Sequence, residues 1–289
     1  MFALTFFYKR HKVKSHNCNF CELKIVYKKG VNLMDLRLTF NEDEANYDKW
    51  RPSYVPELFD EIIHYSGIDE TKQALEIGIG TGQATLPILQ TKCKLTAIEL
   101  GERLAEYSKI KFASFSDFQV VNIDFESFST DSNTFDLIYT ATAFHWIPEE
   151  VGYIKVFNLL KSGGVLALFW NHPFVYRTND LLHLKIQKVY KEFRPSDKKP
   201  IEFDKSDCIK IVEIINQYGF KNCYSKLFYQ TRTFTADGYI SLLNTYSDHR
   251  ALPIDVKIKL ENGIAAAINS FGGILHVYDT MDLYLAQKP

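Results

Sequence analysis

Residues 74–85 read Ala-Leu-Glu-Ile-Gly-Ile-Gly-Thr-Gly-Gln-Ala-Thr. The apolar run 74–77 predicts a short strand, the glycines after it predict a tight turn, and the apolar residues from Leu86 onward predict a helix. A strand, a glycine turn and a helix N-terminus bring free backbone N–H groups and the positive end of a helix dipole to one point, which suits a ligand. Glycines there let the backbone approach a ligand more closely than a Cβ atom would allow.

The spacing of the glycines restricts the classes of ligand that the loop can be expected to bind. Gly78, Gly80 and Gly82 alternate after Glu76, and Gln83 stands where dinucleotide-binding folds place the last glycine of Gly-x-Gly-x-x-Gly. A phosphate-binding P-loop needs Gly-Lys followed by Ser or Thr, which this stretch lacks. Because a glycine loop alone is a weak motif, a tight turn without a ligand is the alternative.

Composition limits the class of protein. The chain has 289 residues, 46% hydrophobic and 24% charged, so it can bury a core as one large domain or as a domain with an elaborated cap. Its formal net charge of −1 gives no overall attraction to nucleic acid or anionic membranes. Five cysteines form no even disulfide framework and indicate a reducing cytoplasm. Since the apolar runs of the sequence are shorter than a membrane span, we expect no membrane partner.

Residues 1–33 differ from the rest of the chain by a marked excess of basic over acidic side chains. The codons of residues 29–31 can form a ribosome-binding sequence just before Met34, so we expect residues 1–33 to be a basic leader outside the native fold. The alternative is a zinc knuckle on a basic arm for nucleic acid, with His16, Cys18 and Cys21 as ligands.

Acidic residues close the next two predicted strands. The strand 94–99 ends in Glu99 about twenty residues after the first glycine, where a carboxylate can accept hydrogen bonds from both hydroxyls of a ribose. The strand 118–123 is followed by Asp124 and Phe125. A solvated carboxylate for Glu99 and a turn-forming role for Asp124 are the alternatives.

Two later motifs complete the pattern. The predicted fourth strand, 134–139, contains Phe-Asp and continues through Thr140 into Phe144-His145-Trp146. A helix predicted over 149–160 stops at the turn Lys-Ser-Gly-Gly of residues 161–164, before a fifth strand at 165–170. The alternation of strands and helices indicates a parallel sheet covered by helices on both faces.

Together these motifs resemble the class I S-adenosylmethionine-dependent methyltransferases. The segment 47–54, with its Trp-Arg-Pro-x-Tyr, resembles the type 11 small-molecule group akin to trans-aconitate methyltransferase. The resemblance implies an α/β fold: a Rossmann-like, doubly wound, seven-stranded sheet with the last strand antiparallel and a helical cap inserted after the fifth strand. It implies a cofactor-binding core over 34–175, and cap helices with C-terminal strands completing the same sheet over 176–289.

The resemblance also implies the cofactor, S-adenosyl-L-methionine, and the side chains that hold it. Glu99 would bind the ribose, Asp124 and Phe125 would contact the adenine, and Tyr47 or Arg51 would meet the methionine carboxylate. The full cofactor set is Tyr47, Arg51, Glu76, Gly78, Gly80, Gly82, Glu99, Asp124, Phe125 and Thr140.

The same resemblance assigns residues to the methyl acceptor. They are His145, Trp146, Tyr246, His249 and Arg250. A hydroxyl or amine acceptor would need a general base, for which His145 and His249 are the candidates, whereas a carboxylate needs none. The alternatives are a structural histidine, an aromatic pocket wall and a cap helix that turns its polar residues to water. No metal site is expected.

These inferences predict in-line methyl transfer from S-adenosylmethionine to a small-molecule acceptor. One alternative is an RNA or other nucleic-acid methyltransferase that uses the basic N-terminal arm. The sequence contains neither the Asn-Pro-Pro-Tyr nor the Pro-Cys motif of base-modifying enzymes, which makes nucleic acid an unfavoured partner. The other alternative is a protein that binds S-adenosylmethionine without catalysis. The identity of the acceptor and the oligomeric state stay open at this point.

Overall fold

The computed structural model describes residues 43–196 and 200–289. The predictions for the basic leader, the start at Met34 and the zinc knuckle lie outside the described residues. The division at residue 175 stays a prediction as well.

Seven strands form one sheet in the described part of the chain. They are β1 (Gln73–Ile77), β2 (Lys94–Glu99), β3 (Phe118–Asn122), β4 (Phe135–Ala141), β5 (Leu160–Phe174), β6 (Lys221–Phe234) and β7 (Leu275–Gln287). Their spatial order is β3-β2-β1-β4-β5-β7-β6. Strands β1 to β5 pair in parallel, and β7 runs antiparallel to both β5 and β6. The predicted seven-stranded sheet with an antiparallel last strand is confirmed.

Helices connect and cover these strands. They are α1 (Glu44–Trp50), α2 (Pro56–Ser66), α3 (Thr85–Leu89), α4 (Glu102–Lys111), α5 (Glu149–Leu159), α6 (Leu181–Phe193), α7 (Cys208–Gln217), α8 (Ala236–Leu243), α9 (Ser247–Arg250) and α10 (Ile254–Ser270), with a short 3-10 helix at Phe144–Trp146. Helix α8 begins at Ala236, because the Thr235 side chain accepts a hydrogen bond from the Gly238 N–H and caps it.

Both faces of the sheet are buried. One face packs against α2 and α3 through Leu58 and Ile88, and the other packs against α5 and α7 through Val156 and Ile215. Parallel strands buried on both faces carry continuous apolar runs, as in residues 165–169. Each large apolar side chain in these two layers contributes roughly 1.5–3 kcal/mol by its burial.

A third apolar cluster lies beyond β5. Helices α6, α8 and α10 pack together and against the ends of β6 and β7, with Ile186, Tyr239, Leu260, Ile264 and Leu275 among its buried members. Part of this helical layer follows the fifth strand, at the place where the sequence predicts a cap. Its role as a cover for an acceptor stays a prediction.

The predicted turn at 161–164 forms a bulge inside β5. Phe135 pairs with Leu160 and Leu137 pairs with Val165, so the residues between them protrude from the ladder. Gly163 has φ 79°, and a Cβ there would meet no atom within 4 Å. The bulge therefore needs a glycine for its backbone angle and not for packing.

Candidate functional site

The glycine loop leaves β1 at the carboxyl edge of the sheet, where open α/β sheets bind their ligands. Its glycines have positive φ angles of 73° at Gly78, 59° at Gly80 and 83° at Gly82. Helix α4 holds the loop, because Ser108 Oγ donates a hydrogen bond to Gly80 O at 2.7 Å. The loop thus follows a fixed path that other residues adopt only with strain.

The glycines are needed for different reasons. A Cβ at Gly82 would come within 2.3 Å of Phe112 Cε2, so core packing excludes a side chain there. At Gly80 the nearest atom, Tyr47 Cε1, would lie 3.5 Å away, which is an ordinary van der Waals distance. Gly80 therefore packs against the Tyr47 ring of α1, and a side chain larger than that of alanine would have to displace this ring.

Glu76 is a buried carboxylic acid beneath the loop. Its Oε2 accepts hydrogen bonds from Thr85 Oγ1 at 2.7 Å and from Tyr139 OH at 2.8 Å, which ties β1 to α3 and β4. Burial raises the pKa of Glu76 to about 8, and the nearby Glu99 adds to the rise. The folded protein therefore holds this acid mainly in its neutral form at pH 7.

Glu99 closes β2 beside the loop. Gly80 N donates to its Oε2 and Gly101 N donates to its Oε1, both at 2.8 Å. Burial raises the pKa of the Glu99 carboxyl, and these backbone N–H bonds oppose the rise. Because a carboxylate has about four lone-pair sites, Glu99 keeps acceptor capacity for further donors.

Helix α1 bridges two parts of the molecule across the loop. On one side Asp48 accepts hydrogen bonds from Tyr107 OH at 2.9 Å and from Lys111 Nζ at 2.6 Å, both on α4. On the other side Asn46 Nδ2 donates to Ser241 O of α8 at 3.2 Å. These contacts hold α1 over the carboxyl edge of the sheet.

Arg51 directly follows α1 and lies between two aromatic rings. Its guanidinium carbon is 4.8 Å from the centre of the Tyr47 ring and 4.5 Å from that of Tyr246. Nη2 also donates to Thr245 O at 2.6 Å, a contact between residues 194 positions apart in the chain. Since a guanidinium stays protonated, this arrangement puts a permanent positive charge on the Tyr47 ring, which lies next to Gly80 of the loop.

A second cluster of polar side chains lies at the carboxyl end of β4 and beside it on β5. Thr142 has φ 53°, which is rare for a β-branched residue, and its Oγ1 is 2.7 Å from Tyr54 OH. Asn171 N donates to the same oxygen at 3.3 Å, and Asn171 Nδ2 donates to Asp279 Oδ1 at 2.9 Å. Within the described residues Asn171 Oδ1 is buried with no donor, so it can accept from a ligand.

His145 lies in the 3-10 helix after β4. Trp170 Nε1 donates a hydrogen bond to His145 Nδ1 at 3.1 Å. Burial, with the nearby His172 and Arg51, lowers the pKa of His145 to about 3. His145 is therefore neutral at physiological pH.

Known proteins share this arrangement. A family model described as "Methyltransferase domain" matches residues 74–164, from β1 to the bulge of β5. Two uncharacterized methyltransferase or methyltransferase-like proteins of Schizosaccharomyces pombe are 26% and 29% identical over 229 and 238 residues. The alignments cover 77% and 78% of this chain and 84% of each relative. The chain carries a methyltransferase domain and is an S-adenosylmethionine-dependent methyltransferase.

Solved structures agree with this methyltransferase in fold. A protein of Anaeromyxobacter dehalogenans provisionally classed as a type II methyltransferase matches with a TM-score of 0.57 and 16% identity, over 82% of this chain and 98% of its own. Haemonchus contortus phosphoethanolamine N-methyltransferase 2, in complex with phosphomonomethylethanolamine and S-adenosylhomocysteine, matches with a TM-score of 0.51 and 13% identity, over 89% of this chain and 61% of its own. At these identities the likeness concerns the fold alone.

The methyltransferase brings part of its predicted cofactor set together. Four of them form a chain of contacts between α1 and the glycine loop: Arg51 lies on the Tyr47 ring, Tyr47 lies next to Gly80, and Gly80 N donates to Glu99. Thr140, at the end of β4, is fully buried, and its Oγ1 finds no partner among the described residues. Whether these side chains hold the cofactor stays a prediction.

The residues predicted for the adenine lie differently. Asp124 Oδ1 accepts a hydrogen bond from Ser127 N at 2.7 Å, which is the turn-forming arrangement foreseen as its alternative. Phe125 is 3% exposed and packs in the core, with Lys155 Nζ 5.2 Å from its ring centre. Their adenine contacts stay predictions, and the contacts seen here are structural.

The predicted acceptor residues divide into two groups. The Trp146 ring lies 5.2 Å from that of His145, and Tyr246 packs on Arg51. His249 contacts α6 instead, where its Nε2 is 3.2 Å from Tyr190 OH, and burial lowers its pKa to about 4. The last predicted residue, Arg250, ends α9 half-buried. The proposed roles of both histidines as general bases stay untested predictions.

Sequence reasoning missed the polar end of β5. Trp170, Asn171 and His172 follow the apolar run 165–169 within β5, and each contacts another polar side chain of the site or of β7. A change from apolar to polar residues at the carboxyl end of a parallel strand was the available signal. The partners on β7, Asp279 and Asp282, carried no comparable signal because they lie more than 100 positions later in the chain.

Two further observations concern residues 43–196 and 200–289 only. No helix there is long and apolar enough to cross a membrane. The same residues contain no cluster of three or more His, Cys, Asp or Glu side chains arranged for a metal ion.

Proposed function

We propose that this methyltransferase transfers the methyl group of S-adenosylmethionine to a small-molecule acceptor by in-line displacement. The observation that carries the proposal is α1, which is tied to α4 on one side and to α8 on the other. A covered site of this kind favours a small acceptor and keeps water from the reacting atoms. The net charge of −1 lends no electrostatic support to a nucleic-acid substrate.

The side chains around the loop suit the cofactor in space and charge. Gly80 lets the loop backbone approach a ligand without a side chain, and Glu99 offers acceptor sites to the hydroxyls of a ribose. Arg51 offers a guanidinium to the methionine carboxylate, a charge-assisted pair. A bound S-adenosylmethionine supplies a methyl group that its sulfonium has already activated. The protein then has to align the acceptor and exclude water.

We assign the acceptor to the side of the cleft formed by the ends of β4 and β5. His145 and Trp146 form one wall, and Tyr246 with Arg51 forms another. Asn171 offers a buried carbonyl oxygen to an N–H or O–H group of the acceptor. His249 and Arg250 remain acceptor candidates from α9. Aromatic walls with a few polar groups are typical of small-molecule sites.

A cytoplasmic location is part of the proposal. Cys93, Cys208 and Cys223 are free thiols in the described part of the chain, which supports a reducing compartment.

The test is an acceptor screen with the full chain and labelled S-adenosylmethionine. Three classes of substrate are compared: a panel of small carboxylates, alcohols and amines, total RNA, and denatured protein. We expect label transfer and S-adenosylhomocysteine formation with the small molecules, nearly unchanged between about 50 and 200 mM salt. Transfer to RNA that falls steeply over this salt range would instead support the nucleic-acid alternative.

A further inference from the structure

We propose that Trp170 is a positioning residue that fixes the proton of His145 on Nε2, so that His145 donates a hydrogen bond toward the methyl acceptor and does not act as a general base. The presence of a methyl acceptor next to His145 rests on the proposed function. The position of the hydrogen on Nε2 of His145 rests only on contacts within the protein.

The direction of one hydrogen bond decides where the proton lies. An indole N–H can only donate, so the 3.1 Å contact from Trp170 Nε1 requires a lone pair on His145 Nδ1. A neutral imidazole carries a single N–H, which must then be on Nε2. Nε2 therefore presents a hydrogen atom and no lone pair. To act as a base at Nε2, His145 would first have to move its hydrogen to Nδ1, which would break the hydrogen bond from Trp170.

The neighbours of Trp170 hold it in place from β7. The Trp170 ring contacts the Tyr284 ring edge-on at 5.9 Å, and Trp170 N donates to Asp282 Oδ1 at 3.0 Å. Asp282 is fully buried and also accepts from Tyr284 OH at 2.8 Å. Both the ring and the backbone of Trp170 are thus anchored by one strand, so the hydrogen bond to His145 is built into the pairing of β5 with β7.

The groups that face His145 disfavour an imidazolium. Burial comes first, followed by the nearby His172 of β5 and Arg51 of the segment after α1, and together they lower the pKa of His145 to about 3. That value is far from the working pH that suits a general base. The Trp146 ring covers a further side at 5.2 Å, and the acid of this cluster, Asp282, is already engaged by His172 Nε2 at 3.0 Å.

The proton arrangement restricts the acceptor. Its nucleophilic atom must arrive with a free lone pair, as a carboxylate or another unprotonated group. That lone pair forms the bond to the methyl carbon while the carbon–sulfur bond breaks, and the electron pair of that bond stays on sulfur. No proton passes to His145, whose Nε2–H can orient an oxygen of the acceptor.

The proposal is tested by the nitrogen chemical shifts of histidine, in long-range ¹H–¹⁵N spectra of the full chain between about pH 5 and pH 9. We expect His145 with an unprotonated Nδ1, a protonated Nε2 and no titration, and we assign its signals by their loss in His145→Gln. His183 is an internal reference, because its Nδ1 accepts from Arg177 N at 3.1 Å and its Nε2 is 2.9 Å from His276 O. A protonated His145 Nδ1 in the wild-type protein overturns the proposal.

Trp170→Phe keeps an aromatic ring at this position and removes the Nε1–H that donates to His145. We expect His145 to gain hydrogen at Nδ1 or to raise its pKa by at least about one unit, while His183 stays unchanged. Trp146→Phe is the matched control, since it changes the other aromatic neighbour and should leave the His145 tautomer as it is. A Trp170→Phe spectrum that equals the wild type would refute the role of Trp170, and if this variant does not fold, the wild-type spectrum decides. These spectra need no acceptor, so a failed acceptor screen and a wrong tautomer are separate results.

Discussion

Around the glycine loop, the contacts that shape the site join residues close in sequence, whereas at the end of β5 they join residues far apart. Thr85 and Glu76 are 9 positions apart and Gly80 and Glu99 are 19 apart. Asn171 and Asp279 are separated by 108 positions, and Arg51 and Thr245 by 194. The loop side is therefore set mainly by β1, the glycine loop, α3 and β2, with Ser108 of α4 and Tyr139 of β4 added, while the β5 side exists only after the whole chain has folded. Substitutions on the loop side should change stability and cofactor affinity, and those on the β5 side should change turnover.

The largest expected effect is the pH dependence of stability set by Glu76. The unfolded acid loses its proton near pH 4.5 and the folded acid near pH 8, so its contribution to stability is complete below pH 4.5 and is lost as the pH rises toward 8. The loss is on the order of 4 kcal/mol. Glu76→Gln keeps a carbonyl oxygen for Thr85 and Tyr139 and does not titrate. Urea unfolding at several pH values should show the variant gaining stability relative to the wild type across this window, and parallel curves would contradict the prediction.

The next effect separates packing from backbone strain in the loop. Gly82→Ala adds a Cβ 2.3 Å from Phe112 to the strain of a positive φ, and should cost about 3 kcal/mol in the free energy of unfolding. Gly163→Ala has nearly the same φ with no atom within 4 Å, and should cost about 1 kcal/mol. Denaturant unfolding of both variants measures the difference. Equal losses would mean that Phe112 moves aside and that the loop side is less rigid than the contacts indicate.

A smaller effect tests cofactor recognition on the loop side. Glu99→Gln replaces a charged acceptor beside Gly80 and should weaken S-adenosylhomocysteine binding by about 1.5–3 kcal/mol in calorimetry. The control is an analogue without the two ribose hydroxyls, whose affinity should change little between wild type and variant. An equal loss for both ligands would mean that Glu99 acts through its bonds to Gly80 and Gly101, and not through the ribose.

The smallest expected effect lies on the β5 side. Arg51→Lys keeps the charge but loses the planar group that packs between Tyr47 and Tyr246 and bonds to Thr245 O, so the free energy of unfolding should fall by about 1 kcal/mol. Its effect on methyl transfer should exceed its effect on stability, because the same side chain borders the proposed cofactor and acceptor spaces. Lys49→Arg, two residues earlier on α1, is the control for a general disturbance of the helix. A rate unchanged in Arg51→Lys would remove Arg51 from the site.

The loop side and the β5 side also differ in how far the sequence alone could predict their contacts. The sequence put Gly80 and Glu99 at the ends of neighbouring strands, and the structure joins them by a hydrogen bond, while their roles at the cofactor stay predictions. Nothing in the sequence indicated Phe112 next to Gly82, since only the packing of α4 brings that ring to the loop. The family resemblance groups His249 with the acceptor residues, and in the structure its Nε2 lies next to Tyr190 OH of α6.

By itself the sequence determined the alternation of strands and helices, the glycine loop and the acids at the carboxyl ends of β1 and β2. Those features depend on backbone conformation and on burial patterns that repeat over a few residues. Only the tertiary structure decided that α1 spans from α4 to α8, that Trp170 donates to His145, and that Asp279 meets Asn171. Such contacts depend on the order and register of distant strands. A side-chain hydrogen bond forms only when the fold brings the donor and the acceptor to a suitable distance and angle.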